Sequence, residues 1–417
     1  MTGFGVPTLD AAAIDQAADR LKVAVRATTL DRCERLSAPG SDVLLKREDM
    51  QIVRSYKARG AYNLIASLTD EERRQGVVCA SAGNHAQGVA FSCAALGIRG
   101  TVYLPTTTPR QKREAIRAIG GTSIEIVVVG STYDETSAVA IDHAAAGGAT
   151  YVHPFDDIRT IAGQGTVAAE ICSQHPDRID TVIVPIGGGG LAAGVATYLR
   201  ERRPEVRIIG AEPAGAASMT AALKAGQPVS LADIDTFVDG AAVARVGSLT
   251  YPLVRTLVDE VVTVPEGAIC TEMLDLYQAD GIIAEPAGAL ATAALRQLRV
   301  APGTTVCIVS GGNNDVSRYA EILERSLIHE GLRHYFLVTF PQEPGALRHF
   351  LEDVLTEGED IVVFEYIKKN NRETGPALVG LELEKASAFA DLIARMEASP
   401  LRIEPVPPGS PLFTFLL

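Results

Sequence analysis

Three short segments contain glycine, in two of them together with small polar residues, and could hold anionic groups. They read Ser81-Ala82-Gly83-Asn84-His85, Gly187-Gly188-Gly189-Gly190-Leu191 and Ser310-Gly311-Gly312-Asn313-Asn314. Because glycine lacks a Cβ, the N–H groups of consecutive glycines can turn toward one phosphate, aided by the start of a following helix. The N–H groups of Gly83 and Asn84 suit a carboxylate in the same way, and the Asn84 amide can donate to a hydroxyl. The three segments therefore predict a site for small anionic molecules.

A lysine in a fourth segment, Ser55-Tyr56-Lys57-Ala58-Arg59-Gly60-Ala61, is a candidate nucleophile. Lysines are most often solvated at the surface, and that is the simplest interpretation of Lys57. Small and apolar neighbours could instead keep the Lys57 amine from water, which favours the uncharged form that builds a Schiff base. The other segments have equally plain alternatives, since Ser81 and Asn84 could cap a helix and His85 could be packed in the core. The residues alone leave these alternatives open.

The glycine segment also satisfies a pattern that binds dinucleotides. Residues 187–192 match G-x-G-x-x-A, and Glu212 ends the next strand about where such a fold places its ribose-binding acid. Taken alone, this pattern would predict a nicotinamide-dependent oxidoreductase. The pattern G-x-x-x-x-G-K-[ST] does not occur, which argues against a nucleoside triphosphatase.

Short apolar runs predict strands, and three of them end where the glycine-containing segments begin. The runs cover residues 77–80, 100–104, 124–128, 181–186, 206–211 and 305–309. Ala-rich helical segments, such as residues 191–203, alternate with them, which predicts an α/β fold with a parallel sheet. Ligands bind outside the carboxyl ends of such strands, so segments far apart in sequence can meet at one site. An amphipathic helix over residues 8–25, capped by Thr8, is predicted before the first strand.

The chain changes character near residue 330. The tail shows the order strand 335–340, helix 345–355, strand 361–367, strand 377–383, helix 386–397 and strand 401–405. This β-α-β-β-α-β order is typical of a ferredoxin-like α+β domain. We therefore predict a second domain over residues 334–417, reached through an amphipathic connector at residues 318–332.

Composition and charge argue against several classes of protein. The 417 residues include 38 Lys+Arg and 51 Asp+Glu, a formal net charge of −13, and only 5% are aromatic. Such a chain lacks the basic and stacking surfaces that nucleic acids need. No run reaches the roughly 18 apolar residues of a spanning helix, and no signal sequence is visible, so we expect a cytoplasmic protein without membrane contact. The six cysteines lie far apart, as core residues in a reducing compartment do.

Taken together, these segments resemble the fold-type II pyridoxal-phosphate enzymes, and specifically the threonine dehydratases. The resemblance extends over nearly the whole chain and rests on six motifs in the family's order. They are Lys46-Arg47-Glu48-Asp49-Met50-Gln51, the Lys57 segment, Ser81-Ala82-Gly83-Asn84-His85-Ala86-Gln87-Gly88, the four glycines, Glu285-Pro286-Ala287-Gly288-Ala289 and Ser310-Gly311-Gly312-Asn313. The resemblance implies a pyridoxal-phosphate-binding catalytic domain over residues 1–330, with two lobes of parallel sheet similar to tryptophan synthase β. The smaller lobe would lie at about residues 56–155.

The resemblance also implies a role for each segment. Lys57 would bind pyridoxal phosphate as a Schiff base and later remove the Cα proton of the substrate. Asn84 would hydrogen-bond the ring hydroxyl, and Ser310 would meet the pyridine nitrogen. Residues 187–191 would hold the phosphate, and residues 81–85 would bind the substrate carboxylate. A serine at the pyridine nitrogen does not keep it protonated, which favours β-elimination, here of L-threonine to 2-oxobutanoate and ammonia.

The tail resembles an ACT-like regulatory domain, with residues 340–347 (Phe-Pro-Gln-Glu-Pro-Gly-Ala-Leu) at its first turn. Its length leaves room for one copy, so an effector site would form most easily between subunits. In this family isoleucine inhibits the enzyme and valine opposes that inhibition, which implies feedback control of isoleucine biosynthesis. The assembly in this family is usually a tetramer. No metal site is implied, because Ser218 stands near the place of the required acid. A purely structural tail, a degradative serine/threonine dehydratase, a catalytically dead sensor and the oxidoreductase above are the alternatives.

Overall fold

The chain forms two compact units, Met1–Asp315 and Val316–Leu417. The structure is a computed structural model that describes residues 8–366, 373–408 and 410–414. Each unit is described by itself below.

Strands and helices alternate through the first unit. Its strands are β1 (Leu30–Arg32), β2 (Ser41–Arg47), β3 (Val77–Ala80), β4 (Gly100–Leu104), β5 (Ile124–Val128), β6 (Thr150–Tyr151), β7 (Thr181–Pro185), β8 (Arg207–Pro213), β9 (Glu260–Val264) and β10 (Gly303–Val309). Its helices are α1 (Ala11–Leu21), α2 (Lys57–Ala66), α3 (Asp70–Gln75), α4 (Asn84–Leu96), α5 (Arg110–Gly120), α6 (Tyr133–Gly147), α7 (Ile158–Gln174), α8 (Gly190–Arg202), α9 (Ser218–Ala225), α10 (Thr250–Leu257), α11 (Glu266–Gln278) and α12 (Pro286–Gln297), with short 3-10 helices at Glu48–Met50, Gly121–Ser123 and Ala214–Ala216. All the apolar runs predicted as strands are strands, and the α/β class is confirmed.

The larger sheet of this unit has the strand order β1-β2-β10-β7-β8-β9 within the described residues. Its neighbouring strands are parallel, except that β1 runs antiparallel to β2. Every residue of β7 is buried, because helices cover both faces of the sheet as a parallel sheet requires. The carboxyl ends of β7 and β10 lead into the glycine segment and into Ser310, so both segments leave the same edge.

The smaller sheet has the order β5-β4-β3-β6 in the described part of the chain, with parallel neighbours throughout. It lies within the residues predicted as the smaller lobe. Its own core packs Leu64, Val89 and Val102 around β3 and β4. Strand β3 ends at Ala80, so the segment that begins at Ser81 leaves its carboxyl end.

The first helix corrects one local prediction. Helix α1 begins at Ala11, and the carboxylate of Asp10, not Thr8, caps it by accepting the N–H of Ala13 at 2.7 Å. Both residues are good caps, but only Asp10 directly precedes the helical turn. Burial of Ile14 and Leu21 on one face explains the amphipathic pattern.

The second unit contains the predicted β-α-β-β-α-β order. Its elements are a 3-10 helix at Val316–Arg318, α13 (Tyr319–His329), β11 (Arg333–Pro341), α14 (Ala346–Asp353), β12 (Glu359–Tyr366), β13 (Thr374–Leu383), a 3-10 helix at Ala386–Ala388, α15 (Phe389–Ala398), β14 (Arg402–Pro405) and α16 (Pro411–Thr414). Within the described residues the sheet order is β12-β13-β11-β14, and neighbouring strands are antiparallel. This is the ferredoxin-like arrangement, with Phe336, Val379 and Phe350 in its core. Ile367, the last residue of the strand predicted over 361–367, lies outside the described residues.

Candidate active site

Lys57 is the first residue of α2 and is held next to the Ser310 segment. The N–H of Tyr56 donates to the carbonyl of Ser310 at 3.1 Å, and Ser55 forms a β-bridge with Gly311. The Lys57 side chain is half-buried, its Nζ donates to the carbonyl of Pro154 at 3.1 Å, and it lies 5.2 Å from the centre of the Tyr56 ring. The amine therefore faces the protein interior and is not the fully solvated lysine of the simplest interpretation.

The turn before Lys57 is strained. Arg54 has a φ of 56°, in the left-handed region that residues with a Cβ rarely adopt. Its N–H donates to the carbonyl of Gln51 at 2.7 Å and its carbonyl accepts from Gly312 at 2.8 Å. These bonds hold a conformation that costs of order 1–3 kcal/mol and that sets the direction in which α2 begins.

A buried cluster of charges anchors the first turn of α2. The guanidinium of Arg59 donates to Glu48 at 2.7 and 2.7 Å and to Glu170 at 2.7 and 2.9 Å. Lys46 is also buried, and its Nζ lies 2.6 Å from Glu170 Oε2 and 2.8 Å from the carbonyl of Thr28. Burial lowers the pKa of Lys46. Burial also raises the pKa of Glu48, but the charge and hydrogen bonds of Arg59, together with Lys46 and Thr28, outweigh it and hold that pKa below its ordinary value. Sequence reasoning matched Lys46, Glu48 and Arg59 to motifs without giving them a role, and it did not single out Glu170.

The glycine segment forms a cradle whose donors are free. The N–H groups of residues 188–191 donate to no acceptor among the described residues, and they surround the N-terminus of α8. Gly189 has a φ of 92°, which a residue with a side chain would adopt only under strain. A Cβ on Gly188 would come within 2.3 Å of the Phe155 ring, and one on Gly187 within 2.9 Å of Ala241 Cα. Only glycine fits these positions, and the arrangement suits a phosphate.

The segment after β6 supports this cradle and was missed by sequence reasoning. Phe155 packs under Gly188, and the carboxylate of Asp156 accepts the N–H groups of Ser248 and Leu249 at 2.8 and 2.7 Å. The Thr250 hydroxyl, which follows them, donates to the carbonyl of Gly188 at 2.6 Å. The signal was the same as for the other segments, a polar stretch at the carboxyl end of a strand, but β6 has two residues and shows no apolar run.

The Ser81 segment supplies a side-chain amide and the N-terminus of α4. Asn84 is half-buried, and its Nδ2 donates to Glu285 Oε1 at 2.6 Å. The imidazole of His85 is turned the other way, with Nε2 donating to the carbonyl of Val152 at 2.7 Å, so its main chain alone is placed to serve the site. Burial, with the nearby Lys57 charge, lowers the pKa of His85 to about 3 and keeps the ring neutral.

Ser310 lies at the end of β10 with its side chain buried. Its hydroxyl donates to the carbonyl of Ala287 at 3.1 Å. Glu285, two residues before Ala287, donates its N–H to the carbonyl of Gly311 at 3.1 Å. Gly240 packs on Ala287, where an added Cβ would lie 2.8 Å from the alanine Cβ. Ser310 therefore lies in contact with the Glu285 motif.

Direct contacts thus join the segments that the sequence singled out. Tyr56 connects Lys57 to Ser310, Glu285 connects Asn84 to Gly311, and Pro154 and Phe155 connect Lys57 to the glycine cradle. The donor set fits pyridoxal phosphate, because these contacts bring together a lysine amine, a hydroxyl, an amide and a cradle of free N–H groups from the carboxyl ends of strands in both sheets. The role of each residue stays a prediction.

Glu212, the acid that the alternative dinucleotide site would need, is already hydrogen-bonded within the protein. The carboxylate of Glu212 is buried and accepts the N–H groups of Met219 and Thr220 at 2.9 and 2.7 Å, so it caps the N-terminus of α9. Burial raises the pKa of Glu212, opposed by these hydrogen bonds. A carboxylate used in this way does not bind a ribose, and the oxidoreductase interpretation is wrong.

The families whose sequence patterns match this chain agree with the cofactor that the site residues fit. The sequence pattern of the family "Pyridoxal-phosphate dependent enzyme" matches residues 21–311, and that of the "C-terminal regulatory domain of Threonine dehydratase" matches residues 324–416. The fold and site define a fold-type II pyridoxal-phosphate enzyme with an added regulatory domain. In the described chain no helix is both long and apolar enough to cross a membrane.

Relatives narrow the class to a family. The biosynthetic L-threonine dehydratase of Mycobacterium tuberculosis is 58% identical over 414 residues, which are 98% of this chain and 96% of the relative. That of Bacillus subtilis is 48% identical over 405 residues, 96% of each chain. The chain belongs to the family of biosynthetic L-threonine dehydratases.

Solved structures agree with this assignment. Threonine deaminase isoform 2 from Solanum lycopersicum superposes with a TM-score of 0.71 at 39% identity, over 77% of this chain and 96% of that one. Maize serine racemase also gives 0.71, at 34% identity over 78% and 99%. The fold is therefore shared by enzymes whose names state different reactions.

Proposed function

We propose that the protein is a pyridoxal-phosphate-dependent threonine ammonia-lyase that converts L-threonine into 2-oxobutanoate and ammonia. The observation that carries the proposal is the joining of Lys57, Asn84, Ser310 and the glycine cradle by direct contacts. The names of relatives 54–58% identical to the chain support threonine as the substrate. When bound, the cofactor withdraws electrons from the substrate Cα.

The protein's own residues would bind the substrate and move its protons. The N–H groups at the start of α4, after Ser81, Ala82 and Gly83, would hold the substrate carboxylate, since a helix N-terminus favours an anion. The free amine of Lys57 would take the Cα proton as a general base. The Ser310 hydroxyl can rotate from Ala287 and donate to an unprotonated pyridine nitrogen, which suits elimination of the β-hydroxyl.

Substitution of Lys57 tests the catalytic proposal. Purified protein should be yellow, and Lys57→Ala should abolish both the visible absorbance and the production of 2-oxobutanoate. The exposed lysine variant Lys22→Ala is the matched control and should keep both. An alanine variant at position 57 that kept the cofactor absorbance would contradict the assignment of the lysine.

Substrate preference separates a biosynthetic from a degradative enzyme. Threonine and serine differ by one methyl group, which is worth roughly 10–200-fold in discrimination. We expect kcat/KM to be higher for L-threonine than for L-serine. Equal or higher values for serine would favour the degradative alternative.

The domain division completes the proposal. Residues 1–330 would catalyse, with a smaller lobe at about residues 56–155, and residues 334–417 would regulate. The two compact units, which divide between Asp315 and Val316, and the two matched family patterns support a division into two parts. Isoleucine would inhibit and valine would oppose it, as expected for the first step of isoleucine biosynthesis in the cytoplasm. Initial rates with each amino acid, and the mass of the assembly by light scattering, test this and the expected homotetramer. Insensitivity to both amino acids would contradict regulation.

A further inference from the structure

The side-chain amide of Asn84 is held at both ends. Its Nδ2 donates to Glu285 Oε1 at 2.6 Å, and its Oδ1 accepts from Asn313 Nδ2, also at 2.6 Å. Asn313 Nδ2 in turn donates to the main-chain carbonyl of Val53 at 2.8 Å and lies 3.2 Å from Gln87 Oε1. Segments separated by more than 200 residues in sequence therefore meet at one side chain.

A main-chain carbonyl fixes the direction of this chain of hydrogen bonds. The oxygen of Val53 can only accept, so the Asn313 atom that faces it must be the nitrogen. The Asn84 atom that faces the same nitrogen must then be the oxygen, and Asn84 Nδ2 must face Glu285. An amide nitrogen carries two hydrogens, and Glu285 takes one of them. One N–H of Asn84 is left with a fixed orientation.

Glu285 occupies the N-cap position of α12, but its side chain does not cap that helix. The carboxyl group is instead turned to Asn84, although Ser, Thr, Asn and Asp are the residues that cap a helix well. Its main chain is fixed by the bond to Gly311. The Glu285 side chain therefore binds Asn84 and does not cap its own helix.

The surroundings of Glu285 favour an uncharged carboxyl group at pH 7. Burial and the charge of Asp239, opposed by the hydrogen bond from Asn84 and the charges of Lys112 and Lys57, raise its pKa to about 8. A neutral carboxyl keeps a carbonyl oxygen that accepts from Asn84. It adds no negative charge beside the place where the ring hydroxyl is expected.

We propose that Glu285 and Asn313 are positioning residues that orient Asn84 so that its remaining N–H meets the ring hydroxyl of pyridoxal phosphate. The inference rests on the proposed function, because it requires that cofactor. It assigns a role to two residues that act through a third and do not themselves hold the cofactor.

Binding of pyridoxal phosphate to the cofactor-free full-length protein tests the proposal. Asn84→Ala, Glu285→Ala and Asn313→Ala should each weaken the Kd about tenfold, the effect of one hydrogen bond, and should shift the visible absorbance band in the same direction. Glu285→Gln keeps a neutral side chain with an accepting oxygen, so its Kd should stay within about threefold of the wild type. The control is Glu266→Ala, which removes another carboxylate at a helix start, one bonded to the N–H of Gly215, and should leave the Kd unchanged.

The double variant Asn84→Ala/Glu285→Ala separates positioning from independent binding. If Glu285 acts through Asn84, the double variant should bind no more weakly than Asn84→Ala alone. Losses that multiply would overturn the proposal, as would wild-type affinity in both Glu285→Ala and Asn313→Ala. If circular dichroism shows that Glu285→Ala does not fold, the Asn313→Ala variant and its double with Asn84→Ala decide in the same way.

Failure of the proposed function would look different. Borohydride reduction of the wild-type protein with pyridoxal phosphate, followed by peptide mass analysis, should label Lys57. Absence of that label would refute the cofactor assignment whatever the variants do. A labelled Lys57 together with multiplying losses would refute only the role of Glu285.

Discussion

Removal of one charge from the cluster beneath α2 should destabilise the protein strongly. Glu48→Gln keeps the volume of the side chain, so no cavity forms, but it removes one of the two carboxylates that neutralise Arg59. Arg59 is 1% exposed and Lys46 is fully buried, so water cannot replace the lost partner. Loss of one partner of a buried ion pair costs about 3–5 kcal/mol. Because Gln can still accept one hydrogen bond, we expect about 3 kcal/mol.

Thermal unfolding of the cofactor-free protein measures this effect, with a surface pair as control. Glu71→Gln removes a carboxylate from its pair with Arg74, where the two side chains are 62% and 73% exposed. Exposed pairs contribute about 0–1 kcal/mol, so the control should melt close to the wild type. Glu48→Gln should melt several degrees lower. Since Arg59 lies in the same helical turn as Lys57, the variant should also bind less pyridoxal phosphate.

Equal melting temperatures for Glu48→Gln and Glu71→Gln would refute this reasoning. Such a result would mean that water or a rearranged Glu170 compensates Arg59 at little cost. A lower melting temperature with unchanged cofactor affinity would retain the energetic argument but would reject the link between the cluster and the position of Lys57.

Three further outcomes follow from the geometry. Gly188→Ala should fold but bind pyridoxal phosphate at least about 100-fold more weakly, because its Cβ would lie 2.3 Å from the Phe155 ring. The control Gly147→Ala places its Cβ in open space and should bind the cofactor normally. Titration of each cofactor-free variant with pyridoxal phosphate compares the two. The His85 pKa falls from 6.5 to about 3 on folding, so unfolding takes up a proton below about pH 6.5 and stability decreases as the pH falls. In His85→Gln the melting temperature should therefore depend less on pH between pH 6.5 and 4 than in the wild type. The Glu285 pKa rises from 4.5 to about 8 on folding, so the stability of the protein decreases as the pH rises through that range. Glu285→Gln should therefore stabilise the cofactor-free protein at pH 8 by up to about 5 kcal/mol. A melting temperature of Glu285→Gln at pH 8 equal to that of the wild type would contradict this prediction.

Sequence alone determined the class of fold and the segments that could do chemistry. The apolar runs of β3, β7 and β10 are local signals, and the glycine segments that follow them are fixed by chain connectivity at the carboxyl ends of those strands. The same local logic predicted the β-α-β-β-α-β order of the tail. It was weakest where two good signals competed, since Thr8 and Asp10 are both favourable caps and only the structure shows where α1 begins.

Tertiary structure decided which partner each side chain has. Sequence could not pair Asn84 with Glu285 and Asn313, or place Phe155 under Gly188, because these contacts join segments whose spacing along the chain carries no information about their distance in space. It also could not show that His85 is turned to Val152 and that Glu212 caps a helix. Burial and hydrogen bonding depend on the surroundings from every direction, and only the folded chain supplies them.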